Sequence, residues 1–323
     1  MDAIATIEPG RWGIAVSGGA DSTALLRLAA ADGRLALHVI HLDHETRGDQ
    51  SAGDAQFVAR LATEFGLPAT IQTRTQLSAT LSPAELADLP QNPSACYRAL
   101  RLALYQGAVV QSSLQGVLLA HHADDQAETI LLRLLRGGGY QALAGMAERS
   151  LVAGVVLRRP LLHTRRVALL SHLQRLGQTW REDASNATGD YGRNRVRAAL
   201  ADQEPAVLSL LAVGDACRAL SAWVDEQSPV LADAFPTRAL ANQPAVLARA
   251  ATAAWLLRQG VPSDQISPAH VESIVALCQD AAMPPRLSMP GGITIFRRQG
   301  MVHSCRPHTS TPVHNITPPG PGD

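Results

Sequence analysis

The sequence contains no lysine, and all 28 basic residues among its 323 are arginine. We attribute this absence to nucleotide composition, since it does not by itself imply a function. Cysteine is also scarce, and the four cysteines lie far apart at positions 96, 217, 278 and 305. Because no Cys-x-x-Cys pair occurs, the sequence predicts neither a disulfide framework nor a thiolate-bound metal or iron–sulfur site.

Two further features are missing. There is no charged-then-apolar leader, and no uninterrupted apolar run reaches the roughly 18 residues that span a bilayer. We therefore expect a cytoplasmic protein with no membrane partner. With 46% hydrophobic and 17% charged residues, the chain is long enough for two globular domains.

The formal net charge of the chain is zero, but the charged residues are unevenly distributed along it. The 28 arginines match 28 acidic residues, yet twelve arginines and only four acids lie between Arg133 and Arg197. Such a basic segment suits a phosphate backbone, and it equally suits a solvated charged surface. Charge alone leaves both interpretations open.

Apolar runs alternate with helix-forming segments in the first part of the chain. The strand-like runs are 13–17, 35–42, 69–73 and 116–120, and the helix-like segments are 22–31, 51–65, 95–111 and 125–135. This alternation predicts an α/β, Rossmann-like fold: a parallel sheet with helices on both faces and ligands at the carboxyl ends of the strands.

The composition becomes Ala/Leu-rich and helical after about residue 203, and a Pro-Gly-Gly turn at 290–292 suits a hairpin. We predict a first domain over 1–203 and a smaller, mainly helical second domain over 204–306. The last segment, 307–323, is rich in Pro, Thr and Gly and is expected to be disordered.

The segment AVSGGADSTALL at 15–26 places two glycines between a strand-like and a helix-like run. We expect the strand to end at Ser17, Gly18 and Gly19 to form a tight turn, and a helix to begin near Asp21 or Ser22. Backbone N–H groups at such a helix N-terminus bind phosphate. The alternative is an ordinary strand–helix turn with Ser22 as N-cap. The spacing matches neither a Walker loop nor the dinucleotide-binding fingerprint.

Asp124, Asp125 and Glu128 form the most acidic cluster near this turn. Asp125 and Glu128 are three residues apart, so they share one face of a helix. The same segment fits a capping box with Asp125 at the N-cap and Glu128 at the third helical position. A functional role for these carboxylates and a capping role are compatible.

Four histidines lie at the ends of predicted strands: His41, His44, His121 and His122. Their spacing does not require the three or four convergent ligands of a zinc site. Nucleotide contact or packing at the strand ends is favoured.

Five segments together resemble a known family. SGGADS at 17–22 is similar to the pyrophosphate loop of the ATP pyrophosphatases, which cleave ATP to AMP and pyrophosphate. The other four resemble successive motifs of the tRNA(Ile)-lysidine synthase family: HLDHETRGDQS at 41–51, LLAHHADDQAETILLRLLRGGG at 118–139, RRPLL at 158–162 and WREDASNATGDYGRNRVR at 180–197. The order and spacing agree across the first 200 residues, and the resemblance is to the short form without a third domain.

The resemblance implies a reaction. ATP, with Mg²⁺, adenylates the carbonyl oxygen on carbon 2 of the wobble cytidine in the CAU anticodon of tRNA(Ile), and the ε-amine of free L-lysine displaces AMP to give lysidine. The implied partners are tRNA(Ile) and lysine, and the second domain is expected to bind the tRNA. A homodimer is compatible with the sequence. Two alternatives stay open: a pyrophosphate-loop tRNA-modifying enzyme with another nucleophile, and a tRNA-binding protein whose catalytic site has decayed.

The resemblance also implies roles for individual residues. The ATP-binding residues would be Ser17, Gly18, Gly19, Asp21, Ser22, His41 and Asp43. The catalytic residues would be Asp21, Arg98, Asp125 and Glu128. Mg²⁺ would be bound by Asp21 and Asp125. The tRNA-binding residues would be Arg136, Arg159, Arg193, Arg195 and Arg197.

Some of these roles correspond to specific chemical steps. Asp125 and Glu128 would contact Mg²⁺ or the amino groups of lysine, and Arg98 would stabilise the phosphate of the adenylated intermediate. The flipped base is expected to stack on one of few aromatic side chains: Trp180, Tyr191 or Tyr140. Two positions depart from the family. Ser94 stands where relatives have a glutamate, so that glutamate's role is not carried over, and Ala142 replaces a usual glycine after the loop at 137–139.

Overall fold

The computed structural model describes residues 2–46, 49–181 and 191–306. The chain divides into two compact units between Arg218 and Ala219, later than the predicted boundary at 203/204. Helix α10 (Glu204–Gln227) accounts for the difference, because Arg218 on this helix donates to the carbonyl oxygen of Ala144 in the first unit at 2.6 Å. The predicted disordered tail lies outside the described residues.

The first unit contains a six-stranded sheet in the order β3-β2-β1-β4-β6-β5. The strands are β1 (Gly10–Ala15), β2 (Leu35–Asp43), β3 (Ala69–Thr73), β4 (Val117–Leu118), β5 (Arg149–Val152) and β6 (Val155–Arg158). Neighbouring strands are parallel except β5 and β6, which form an antiparallel edge. The predicted α/β fold with a mainly parallel sheet is confirmed.

Helices cover both faces of this sheet. They are α1 (Ala20–Ala30), α2 (Asp49–Glu64), α3 (Arg74–Ser78), α4 (Pro83–Ala87), α5 (Pro93–Gln111), α6 (Ala123–Leu135), α7 (Tyr140–Leu143), α8 (Arg166–Arg175) and α9 (Tyr191–Leu200). Alternate residues of β2 enter two different apolar clusters, as the two-residue period of a strand requires. Leu37 and Val39 pack with α1, α2 and α8, whereas Ile40 and Leu42 pack with α3 and α5.

The strand order reverses direction at β1, which has β2 on one side and β4 on the other. In open α/β sheets the crevice at such a reversal, beyond the carboxyl ends of the strands, is the usual ligand site. The segments that leave β1, β2 and β4 therefore meet in one place, and the Ser17–Ser22 turn is one of them.

The second unit combines three further helices with a small antiparallel sheet. The helices are α11 (Arg238–Ala241), α12 (Ala245–Arg258) and α13 (Pro268–Gln279). The strands are β7 (Phe235–Pro236), β8 (Arg286–Met289), β9 (Ile293–Arg298) and β10 (Met301–Cys305), in the order β7-β10-β9-β8. The predicted hairpin at Pro290–Gly292 is present between β8 and β9, and the sequence did not predict the two additional strands.

Among the described residues, α10 is long and apolar enough to cross a membrane by length and composition alone. Charged residues interrupt it, including Asp215 and Arg218. A single helix of this kind is weak evidence for a membrane segment, because amphipathic and core helices pass the same test.

Candidate active site

A cavity of about 560 Å³ opens at the carboxyl ends of β1, β2 and β4. Its volume is in the range of small-molecule sites. It brings together many of the residues predicted from the sequence: Ser17, Asp21, Ser22, His41, Arg98, Asp125, Arg193 and Arg197. Gly18, Gly19, Asp43, Glu128, Arg136, Arg159 and Arg195 do not line it.

The turn after β1 is held by its own serines. The Ser17 N–H donates to Ser22 Oγ at 3.1 Å, and Ser22 Oγ donates to the carbonyl oxygen of Gly19 at 3.0 Å. The N-cap of α1 is Gly19, without a side-chain hydrogen bond to the cap, so the alternative interpretation with Ser22 as N-cap is wrong. Ser22 instead lies one turn further on and bonds back to the turn. The first turn of α1, which no side chain caps, is left facing the cavity, and such an end attracts anions.

Arg181 fixes the same turn from a distant part of the chain. Its backbone N–H donates to the Gly18 carbonyl oxygen at 2.9 Å, and its Nε donates to Asp54 of α2 at 2.7 Å. Gly18 has a φ of 91°, a conformation that favours glycine. Arg181 belongs to the WREDAS motif, but the sequence did not indicate this contact.

Asp21 points from the first turn of α1 towards Arg166 and His122. Its carboxylate accepts from Arg166 Nε at 3.1 Å and lies 3.7 Å from His122 Nε2. Burial alone would raise the pKa of Asp21, but the hydrogen bond and charge of His122, with the charge of Arg166, hold it below the usual value. Asp21 is therefore an anion at neutral pH.

The capping box of α6 differs from the predicted one. His122 is the N-cap: its Nδ1 accepts the Asp125 N–H at 3.3 Å, and the Asp125 carboxylate accepts the His122 N–H at 3.1 Å. The predicted box with Asp125 as N-cap and Glu128 at the third position is wrong, because the N-cap lies three residues earlier, at His122, and the helix begins at Ala123. Asp124 instead accepts the backbone N–H of Arg166 at 2.7 Å, at the start of α8.

His122 lies among three carboxylates. Burial lowers its pKa, but the neighbouring Asp21, Asp125 and Asp124 outweigh this effect and leave the pKa of His122 above 6.5. Its Nε2 lies 3.7 Å from Asp21 Oδ2 and 3.4 Å from Asp125 Oδ2. Two carboxylates from different elements thus converge at this edge of the cavity.

Glu128 is buried beneath the cavity and pairs with two arginines of α9. It accepts from Arg193 Nε at 3.0 Å and from Arg197 Nε at 2.9 Å. Asp125 extends the group, since its Oδ1 accepts from Arg193 at 3.4 Å. Two residues predicted to bind tRNA thus contact the two carboxylates predicted to bind lysine or Mg²⁺.

The other predicted residues lie around the cavity. Arg136 is exposed at the end of α6, and Arg195 is exposed on α9. Arg159 is half-buried and donates to the Ala147 carbonyl oxygen at 2.9 Å. Asp43 is buried and accepts the Glu45 N–H at 2.8 Å, an interaction that fixes the turn after β2.

Three of the four predicted histidines line the cavity: His41, His44 and His121. His41 Nδ1 donates to the Val16 carbonyl oxygen at 2.7 Å, which leaves its buried Nε2 as an acceptor without a partner in the described residues. Burial lowers the pKa of His41, so the ring is neutral. The described residues contain no group of three or more His, Cys, Asp or Glu side chains that could hold a metal ion by themselves.

Helix α5 contributes a face that sequence reasoning identified only in part. The residues of this face recur at helical spacing and line the cavity: Ser94, Tyr97, Arg98, Arg101 and Tyr105. Arg98 was predicted, whereas the two tyrosines were not. Of the aromatic side chains expected to hold a base, Trp180 packs against the apolar core of the first unit, and Tyr140 does not line the cavity. The Tyr191 side chain lies outside the described part of the structure.

A family model described as a PP-loop domain matches residues 2–204. The chain belongs to the PP-loop domain family. The matched residues contain the whole sheet of the first unit and every cavity-lining residue, so the site described above is that of a PP-loop domain.

Two curated relatives of this PP-loop protein share one name. It is 42% identical over 196 residues to the tRNA(Ile)-lysidine synthase of Symbiobacterium thermophilum, covering 59% of this chain and 39% of that protein. It is 33% identical over 302 residues to the tRNA(Ile)-lysidine synthase of Solibacter usitatus, covering 87% and 64%. The resemblance seen in the sequence is confirmed, although the chain spans less than two thirds of the length of these relatives.

A solved structure supports the fold. The U34-tRNA thiolase of Methanococcus maripaludis aligns with a TM-score of 0.52 over 66% of this chain and 73% of its own. At 16% identity this similarity concerns the PP-loop fold alone.

Proposed function

We propose that this PP-loop protein is a tRNA(Ile)-lysidine synthase, which joins lysine to carbon 2 of the wobble cytidine in the CAU anticodon. The observation that carries the proposal is the cavity at the carboxyl ends of β1, β2 and β4, which combines an uncapped helix N-terminus, several arginines and two carboxylates. The names of the curated relatives support the same activity.

ATP would lie with its phosphates against the turn formed by Ser17, Gly18, Gly19 and Ser22. Exposed backbone N–H groups and the positive end of the α1 dipole suit a polyphosphate. His41 and Asp43 lie at the carboxyl end of β2; His41 lines the cavity, and Asp43 fixes the turn that follows β2. We propose that this turn binds the phosphates that leave as pyrophosphate.

The donor set fits Mg²⁺. Asp21 and Asp125 converge on His122 Nε2, and Mg²⁺ in proteins is commonly bound by one or two carboxylates together with substrate phosphates. When bound, the ion would neutralise charge on the phosphates. Asp21 and Asp125 would hold it, and for Asp21 this requires displacement of Arg166.

Adenylation requires that the carbonyl oxygen of the cytosine attack the α-phosphorus of ATP while the bond to pyrophosphate breaks. Arg98 lines the cavity and would stabilise the negative charge at that phosphate. Arg101, one helical turn further along α5, lines the same cavity and adds to the positive charge around that phosphate. Both side chains are fixed charges that need no proton transfer.

The second step forms the bond from the lysine ε-nitrogen to carbon 2 while the bond to AMP breaks. We assign Asp125 to bind the ammonium group and to accept its proton, because its carboxylate lines the cavity. Glu128 does not line the cavity, so its effect on the reaction would pass through Arg193 and Arg197, which it positions.

The tRNA is proposed to bind at the arginine-rich surface that includes Arg136, Arg159, Arg193, Arg195 and Arg197, and at the second unit. Contacts of arginine to phosphate position an RNA, while the base itself supplies the sequence information. A cytoplasmic location and a homodimer are parts of the same proposal.

The test is incorporation of radiolabelled lysine into transcribed tRNA(Ile) with the CAU anticodon, in the presence of ATP and Mg²⁺, with tRNA(Met) as control. Label in tRNA(Ile) that survives mild alkaline deacylation supports the proposal. AMP formation only with other amines would indicate a related enzyme with another nucleophile. No AMP at all, with tRNA still bound, would indicate a binding protein.

A further inference from the structure

One wall of the cavity consists of rings to which the phosphate and lysine chemistry assigns no role. Tyr97, on α5, packs against His44, which follows β2, with ring centroids 4.6 Å apart and planes inclined by 44°. Both side chains line the cavity. The cavity lining also includes the apolar side chains of Ile40, Leu42 and Leu119.

The imidazoles of His44 and His121, which both line the cavity, differ in charge from the arginines nearby. Burial, with the positive charge of Arg101, lowers the pKa of His44 to about 4. Burial, opposed by Asp125 and assisted by Arg159, lowers the pKa of His121 to about 4. The two rings are neutral near pH 7 and contribute no charge for a phosphate.

The rings of His44 and His121 each have a nitrogen without a hydrogen-bond partner among the described residues. Nδ1 of His44 and Nδ1 of His121 are buried, and neither has a hydrogen-bond partner within the residues that the structure describes. Buried polar atoms are normally paired, so an unpaired one in a cavity wall indicates a missing ligand atom. A neutral imidazole offers one N–H donor and one lone pair, which complements the amino group and ring nitrogen of a nucleobase.

We propose that His44 and Tyr97 hold an amino-bearing nucleobase, with their rings against its face and His121 at its edge. An aromatic ring, apolar side chains and neutral polar atoms are the features that recognise a base instead of a phosphate. Adenine of ATP and the target cytosine share this chemistry. The choice between them rests on the proposed function, and one set of binding measurements separates them.

The experiment measures the dissociation constants of ATP and of the anticodon stem-loop of tRNA(Ile), each added alone, by titration calorimetry. The variants are Tyr97→Leu, which removes the ring, and Tyr97→Phe, which keeps it. His44→Asn tests the second ring. The matched control is His163→Asn, at an exposed histidine that pairs with Glu148 outside the cavity.

We expect Tyr97→Leu to weaken one ligand by about 5- to 150-fold, the range typical of a lost stacking contact, while the other ligand changes less than about twofold. His44→Asn should weaken the same ligand, and Tyr97→Phe and His163→Asn should bind both ligands like the unmodified protein. A loss confined to ATP assigns the wall to adenine. A loss confined to the stem-loop assigns it to cytosine.

Three results would overturn the proposal: unchanged affinity for both ligands, equal weakening of both, or a loss in Tyr97→Phe as large as that in Tyr97→Leu. Equal weakening or a failing phenylalanine variant would indicate distortion of the cavity. Failure of the proposed function is distinguishable, because it would appear as absence of lysine transfer by the unmodified protein, which these binding measurements do not require.

Discussion

Glu128 Oε1 accepts a hydrogen bond from Arg197 Nε at 2.9 Å, although the two residues are 69 positions apart in the sequence. Arg193 occupies the second oxygen of the same carboxylate at 3.0 Å. Because a buried carboxylate needs such partners, the two arginines hold α9 against α6 beside the cavity. Any anion that binds Arg193 or Arg197 must compete with Glu128.

Asp125→Asn should lower the rate of lysine transfer by about 100-fold or more with the fold intact, since loss of a positioned acid or base has effects of this size. The amide oxygen can still accept the His122 N–H and preserve the capping box. Initial rates of lysine transfer and thermal unfolding check this. Full activity of Asp125→Asn would remove the role assigned to Asp125.

Glu128→Gln should reduce both stability and activity. The amide leaves Arg193 and Arg197 with weaker partners, which should lower the free energy of unfolding by about 1–2 kcal/mol for a partly exposed charge network. Urea unfolding measures this cost. A variant with unchanged stability would contradict the positioning role of Glu128, whatever its activity.

Arg193→Gln should weaken tRNA binding and reduce the slope of log affinity against log salt concentration by about one, the effect of one lost phosphate contact. Filter binding at several salt concentrations measures the slope. Arg34→Gln is the control, because Arg34 pairs with Asp32 near the opposite, amino ends of the strands. Equal slopes for Arg193→Gln and the unmodified protein would show that Arg193 serves Glu128 only.

Gly18→Ala should lower the free energy of unfolding by about 1–2 kcal/mol, because the φ of 91° is strained for a side chain. The affinity for ATP should fall as well, since the turn is displaced. Gly19→Ala, at a φ of −70°, should change stability by less than about 0.5 kcal/mol. Equal stability of the two variants would show that the turn tolerates a Cβ at Gly18.

The pKa of His44, lowered to about 4, makes stability depend on pH. The unfolded chain binds a proton at this ring below about pH 6.5, whereas the folded protein does not until about pH 4, so stability falls as the pH drops from 6.5 to 4. After allowance for partial exposure, His44 should account for about 2 kcal/mol of this fall. Urea unfolding of the protein and of His44→Asn at both pH values measures it, and an identical pH dependence would contradict it.

The structure shows how far local pattern predicted the site. The strand–turn–helix order around Ser17–Ser22 was predicted because a strand, two glycines and a helix are adjacent in sequence, but β1 ends earlier than predicted, at Ala15, and α1 begins earlier, at Ala20. Within the same turn, the alternative interpretation with Ser22 as N-cap was wrong, since Gly19 takes the cap and the Ser22 hydroxyl bonds back to Ser17. The His122 cap was missed for a similar reason, because DQAE at 125–128 also fits a capping box, three residues out of register with the observed one.

The sequence by itself determined the α/β class, the parallel sheet and the place of the turn at Ser17–Ser22, because hydrophobic period and glycine position act over a few residues. Only the tertiary structure decided that Arg193 and Arg197 pair with Glu128 and that Tyr97 meets His44. Those contacts join segments far apart in the chain, and a charge or a ring carries no local signal of its partner. Packing of α5 and α9 around the strand ends sets which side chains meet.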